Sequence, residues 1–159
     1  MKRAFICILL VMAMASVCSA RVKTDIRAPD EVKAEAEREF GEILELWHGR
    51  NWGALYDRTF SSGAQTRESF IGRISAAPCR PACCWQQKQE VAVTVKKGEK
   101  VVIRAKIGLE GVGDIQYRTG SFKLRKEHGV WRMSRSDLLS LAGAVKKTGW
   151  KRNRKAHAR

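Results

Sequence analysis

The chain has 159 residues, enough for one domain, and carries 31 Lys and Arg against 16 Asp and Glu, a formal net charge of +15. A chain of this length hides roughly two-thirds of its unfolded surface on folding, which excludes a disulfide-dependent miniature scaffold. The basic excess points to anionic partners and is unevenly placed: residues 146–159 hold seven of the basic residues and no acid.

Residues 1–20 read as an export signal. Lys2 and Arg3 supply the positive start, residues 4–17 are almost wholly apolar and uncharged, and Cys18-Ser19-Ala20 offers small residues to a signal peptidase. A retained anchor needs about 20 apolar residues, and this run is shorter. A lipid anchor on Cys18 is disfavoured by Val17, where a smaller residue is expected. Cleavage near Ala20 leaves a chain of about 139 residues with a charge of +13, acting in the periplasm or outside the cell. The expected division is residues 1–20 signal, 21–145 domain, and 146–159 basic tail without enough apolar surface to fold.

Pro29-Asp30-Glu31 opens a helix, since Pro suits the first turn and acids face the positive end of the helix dipole. Val32, Ala36, Phe40, Ile43, Leu44 and Trp47 follow at helical spacing, and Gly49 ends the run. Asn51 caps a second helix from Trp52 to about Phe60. Thr66 caps a third, with Phe70, Ile71 and Ile74 facing inward. Pro78 and Pro81 bracket an irregular segment holding Cys79, Cys83 and Cys84.

The period then changes from helical to alternating. Val91, Val93 and Val95 form one strand and Val101, Ile103, Ala105 and Ile107 the next, joined by a turn at Lys97-Gly98-Glu99. Gln87, Gln89, Lys96, Arg104 and Lys106 fall on the outward side. Residues 108–114, with three glycines, predict a loop. A third strand spans 115–126, with Phe122 and Leu124 inward and a bulge near Gly120. Val130, Trp131 and Met133 give a fourth strand, and Ser136 or Asp137 caps a last helical turn over 138–144. The expected fold is α+β, with N-terminal helices on the apolar face of a curved four-stranded antiparallel sheet.

This order resembles the NTF2-like superfamily, the cystatin-like cone of SnoaL type, and within it the small exported proteins. The likeness rests on the long first helix, the Trp52-x-x-Leu55-Tyr56-Asp57 helix, and a last hairpin written Ser121-Phe122-Lys123-Leu124, Glu127-His128-Gly129-Val130-Trp131-Arg132-Met133. The resemblance implies a sheet wrapped around the first helix and a cavity at its open end. Trp52, Tyr56, Phe60, Trp85 and Tyr117 are the expected lining. Catalytic members of the family place Asp, His or Tyr on inward strand positions. Here the inward positions are apolar and cannot move a proton.

Asp57 and Tyr56 are the acid–base candidates, for an isomerase- or cyclase-like activity. The competing and favoured reading is a solvent-facing Asp57 paired with Arg58 or Arg50, since structural ion pairs are commoner than active sites. His48, His128 and His157 belong to no ligand cluster, and one cysteine cluster lacks the partner knuckle of a zinc site. No metal or cofactor is implied. In an oxidising setting the expected product is one disulfide, Cys79 to Cys83 or to Cys84, with the third cysteine left over.

Lys146, Lys147, Lys151, Arg152, Arg154 and Lys155 suit an anionic membrane or polysaccharide surface, with a solvated end as the alternative. Export takes the chain away from nucleic acid, which ranks lower. The expectation is therefore an exported, non-enzymatic binding domain with an apolar pocket, a small apolar ligand and a basic tail. A homodimeric scaffold is the other alternative, weakened by the charged outward strand positions.

Overall fold

A computed structural model describes residues 29–144, apart from 62 and 112. The expected export signal and the basic tail lie outside the described residues. Among the described residues, four α-helices accompany one strongly curled, mixed six-stranded sheet.

Helix α1 spans Pro29–His48 and buries Ala36, Phe40, Ile43, Leu44 and Trp47 along one stripe. Asp30 and Glu31 in its first turn and His48 in its last match the helix dipole. The Gly49 amide closes the final turn on the Glu45 carbonyl at 2.8 Å. The left-handed residue that redirects the chain is Arg50, at φ 57°, and not the glycine.

Helix α2, Trp52–Asp57, is capped by the Asn51 side chain, which accepts from the Ala54 amide. It stops three residues before the expected end. Thr59–Phe60 is instead a strand, β1, parallel to the later strand that contains Met133. The Met133 amide donates to the Arg58 carbonyl at 2.9 Å, and the Thr59 hydroxyl donates to the Tyr56 carbonyl at 2.7 Å. β-Branched Thr59 and aromatic Phe60 fit a strand edge better than a further helical turn. Helix α3, Arg67–Ser75, carries the expected Thr66 cap on the Ser69 amide and buries Phe70 and Ile74.

Strand β2 is Arg80–Pro81, followed by a 3-10 turn at Cys84–Gln86. The long strands are β3, Lys88–Lys96; β4, Lys100–Glu110; β5, Gln116–Glu127; and β6, Val130–Ser134. They pair antiparallel in chain order. The four-stranded expectation therefore covers the long ladder only. β2 extends the β4 edge beyond β3, and β1 adds the parallel pair at β6. Two-residue strands carry no readable alternation, so the sequence pattern misses both. Helix α4, Arg135–Leu141, is capped by Ser134, not by Ser136 or Asp137. Asp137 instead accepts from the Lys123 amide of β5 at 2.9 Å.

Two glycine expectations change. Gly108 is buried inside β4, not in a loop, and a side-chain carbon there would lie 2.2 Å from the Gln86 carbonyl oxygen. Only glycine lets the turn before β3 approach β4 so closely. No bulge occurs at Gly120: the β4–β5 register runs unbroken from Lys100↔Arg125 to Leu109↔Gln116. Gly120 leaves room for the Phe122 ring, whose nearest atom would sit 2.9 Å from an added carbon. Tyr117 simply points outward, so no parity shift is needed. The irregularity falls in β3, between Gln89 and Ala92, with Glu90 at φ 52°.

The concave sheet face presents Val101, Ile103, Ala105, Ile107, Phe122, Leu124, Trp131 and Met133 to α1. Phe40 of α1 stacks on Phe122 of β5 at 5.2 Å. Ion pairs reinforce the rim: Lys126 to Glu35 at 2.7 Å, and Arg58 to Glu39. Asp30, Glu35, Glu37, Glu39 and Glu42 of α1 are each matched by a nearby basic group.

Candidate functional site

Three features of the described surface carry unassigned chemistry: an open cleft, the outer face of the sheet, and a cysteine pair. The cleft has a volume of about 590 Å³ and lies between the end of α1, the α3–β2 connection and the segment after β4. Trp47, Trp52 and Ile74 give its apolar wall; Arg50, Arg80 and Glu110 give its polar one. Arg80 Nε donates to Glu110 Oε1 at 2.5 Å. His48 Nδ1 donates to the Pro81 carbonyl at 2.8 Å and lies 3.6 Å from the same Glu110 oxygen. Glu110 is therefore already engaged by a guanidinium and sits beside an imidazole, while Arg50 forms no ion pair among the described residues. The lining is amphiphilic, with an indole wall facing a charged one.

Of the expected lining residues only Trp52 borders this cleft. Tyr56 packs on Phe70, with ring centroids 5.7 Å apart, and carries the Arg135 guanidinium over its ring at 3.9 Å. Phe60 lies under the Arg125 guanidinium at 4.0 Å. Tyr117 stands outward, with Lys106 Nζ 5.0 Å from its ring. Trp85 is 73% exposed. Asp57 forks onto Arg67 at 3.3 and 3.4 Å and is 60% exposed, away from the cleft. Its partner is Arg67, not the expected Arg58 or Arg50. Arg67 also lies over the Tyr56 ring at 5.3 Å, so Tyr56 and Asp57 meet at this one guanidinium, away from the cleft.

The outer face of the sheet follows from strand register, because residues directly opposite in neighbouring strands share a face. Lys96 pairs with Lys100, Lys100 with Arg125, and Arg125 with Arg132. Arg104, Lys106 and Lys123 stand on the same face. Two acids oppose these seven basic groups: Glu90, 3.4 Å from Lys106, and Glu127, on Arg125 at 2.7 Å and Arg132 at 3.4 Å. The face keeps five net positive charges. Lys96, Lys100, Arg104 and Lys123 are exposed and form no ion pair among the described residues. Of the outward positions read from the sequence, Gln87 is the exception: it is buried, and its amide donates to Glu45 at 2.8 Å. Lys100, Lys123, Arg125 and Arg132 join this face through the pairing register of β3 to β6, which alternation along one strand does not give.

The expected bridge from Cys79 is not formed, and Cys79, Cys83 and Cys84 are free thiols. Cys79 Sγ turns to the Ala142 carbonyl at 3.3 Å, and burial pushes its thiol above the ordinary range. Cys83 and Cys84 are both exposed, with Sγ atoms 2.9 Å apart. The Cys84 contact, then partial desolvation and the Glu110 and Glu45 carboxylates, push the Cys83 thiol up as well.

Among the described residues no group of His, Cys, Asp or Glu has the arrangement to hold a metal ion, and no helix is long and apolar enough to cross a membrane. No protein-family model matches the chain, and no curated protein matches it in sequence.

Proposed function

We propose that this is an exported, non-catalytic binding domain of NTF2-like cone architecture that docks on an anionic envelope surface through the outer face of its sheet. The observation that carries the reading is charge segregation. Seven basic side chains share one sheet face with two acids, while five acids of α1 are matched by basic groups on the other side of the molecule. The proposed occupant is a layer of anionic lipid headgroups. Near such a surface each Lys or Arg contributes about 1 kcal/mol. Five net charges then supply about 5 kcal/mol, a sub-millimolar attachment, to which the seven basic residues of the tail add.

The cone architecture is supported by α1 seated in the concave face of a curled sheet. The cleft, with Trp47, Trp52 and Ile74 on one wall and Arg50 on the other, suits a small ligand with an apolar body. The outer face also counts against back-to-back pairing of two copies, which would press five net positive charges on each other.

The test is sedimentation of the protein with mixed phosphatidylcholine–phosphatidylglycerol vesicles, with neutral phosphatidylcholine vesicles and immobilised alginate as parallel arms. Binding to the anionic vesicles that weakens steeply with salt supports the proposal. Retention on alginate alone assigns the face to acidic polysaccharide instead. No binding to either overturns the docking reading.

A further inference from the structure

The second chemistry-bearing feature is independent of the docking face. The Ala82 amide donates to the Gly108 carbonyl at 2.8 Å, and the Gly108 amide donates to the Gln87 carbonyl at 3.2 Å. These two bonds clamp both ends of a short projecting segment onto β4. Inside it the Gln87 amide closes a turn on the Cys84 carbonyl at 3.1 Å. Cys84 takes a left-handed φ of 60°, uncommon for a residue with a side chain. The result is two adjacent, exposed thiols held with their sulfurs 2.9 Å apart. Cys79 faces the other way, toward α4, and is out of this contact.

We propose that Cys83 and Cys84 form a vicinal dithiol that exchanges with small-molecule disulfides and closes into a ring through their shared peptide bond. One thiol, as thiolate, attacks a sulfur of the reagent RSSR. A protein–SR bond forms, the S–S bond of the reagent breaks, and RS⁻ leaves and takes up a proton. The neighbouring thiol then loses its proton to solvent and attacks the protein sulfur of that mixed disulfide. The Cys83–Cys84 bond forms and the second RS⁻ leaves. Two protein thiols are oxidised by two electrons, and one RSSR becomes two RSH. The clamped turn holds the second thiol in place, so ring closure outpaces escape of the mixed disulfide. Trp85, beside the pair and mostly exposed, offers an apolar surface to the organic part of the reagent.

The experiment is treatment of the reduced full chain with oxidised glutathione, acid quench, alkylation of remaining thiols, and mass mapping. Trypsin cuts after Arg73 and Lys88 but not at Arg80-Pro81, so one peptide, 74–88, holds Cys79, Cys83 and Cys84 and no other cysteine. The expected product carries one alkyl group, on Cys79, and has lost two hydrogens across Cys83 and Cys84. Cys79→Ala keeps ring formation, while Cys84→Ser loses it and accumulates a lasting glutathione adduct on Cys83. A bridge that includes Cys79, a stable glutathione adduct in the unsubstituted chain, or three alkylated cysteines after treatment overturns the proposal.

Discussion

Reversing two charges at the centre of the outer sheet face isolates that face from overall charge. Arg104 and Lys123 stand on adjacent strands, both exposed and free of ion pairs among the described residues. Changing both to Glu removes two positive charges and adds two negative ones, which takes the face from five net charges to one. At about 1 kcal/mol per charge the loss is roughly 4 kcal/mol, on the order of a thousandfold in affinity for anionic vesicles. The matched control is Lys33→Glu with Arg38→Glu on α1, which lowers net charge equally. Its lost contacts, to Asp30 and Glu39, are surface pairs each worth no more than about 1 kcal/mol. Sedimentation at low and moderate salt, with thermal melts to confirm folding, reads both variants. Equal losses in the two would show attraction by net charge alone and refute a docking face. An unchanged affinity in the Arg104/Lys123 variant would do the same.

Other expectations concern the fold. Gly108→Ala drives a side-chain carbon into the Gln86 carbonyl and loosens the two bonds that clamp Ala82 and Gln87 to β4; chemical denaturation should show a loss of about 2–4 kcal/mol. Gly72→Ala meets nothing within 4 Å in the interior of α3 and should stabilise by about 0.5–1 kcal/mol. Phe40→Ala empties the centre of the core against Phe122 and should cost about 3–5 kcal/mol by the same measurement. The fold holds the Cys79 proton more firmly than the unfolded chain does, so its contribution is complete below the ordinary thiol value of 9.0 and falls as pH rises above it. The melting temperature of the unsubstituted protein should therefore decline more steeply above that pH than that of Cys79→Ala.

Long periodic segments were legible in the sequence because one physical pattern dominates each of them. Ala36, Phe40, Ile43, Leu44 and Trp47 repeat at helical spacing and do line the inner face of α1. Val101 to Ile107 alternate and do face the core. Features fixed by tertiary contact were not legible. Thr59–Phe60 is a strand only because β6 has an open edge beside it. Gly108 is a strand residue only because the Gln86 backbone crosses it, and composition alone makes it a loop glycine. The bulge assigned to Gly120 came from treating Tyr117 as inward. An aromatic ring on a strand is not bound to face the core, and here it packs under Lys106. Lys123 and Arg125 alternate with inward Phe122 and Leu124 in either reading, and it is the β4–β5 register that sets them beside Arg104 and Lys100. The cleft was placed only through Trp52, because Arg80 and Glu110 meet across the β2–β4 pairing. Neither the short length of β2 nor their spacing in sequence signals that contact.

Lysine footprinting on anionic vesicles tests the docking face most directly. The protein is acetylated with and without mixed phosphatidylcholine–phosphatidylglycerol vesicles, and the labelling of each lysine is read by mass mapping. Lys96, Lys100 and Lys123 should be protected at least severalfold, and Lys33, on the exposed side of α1, should react as in free solution. Protection of Lys33 with undiminished labelling at Lys96, Lys100 and Lys123 would contradict the account.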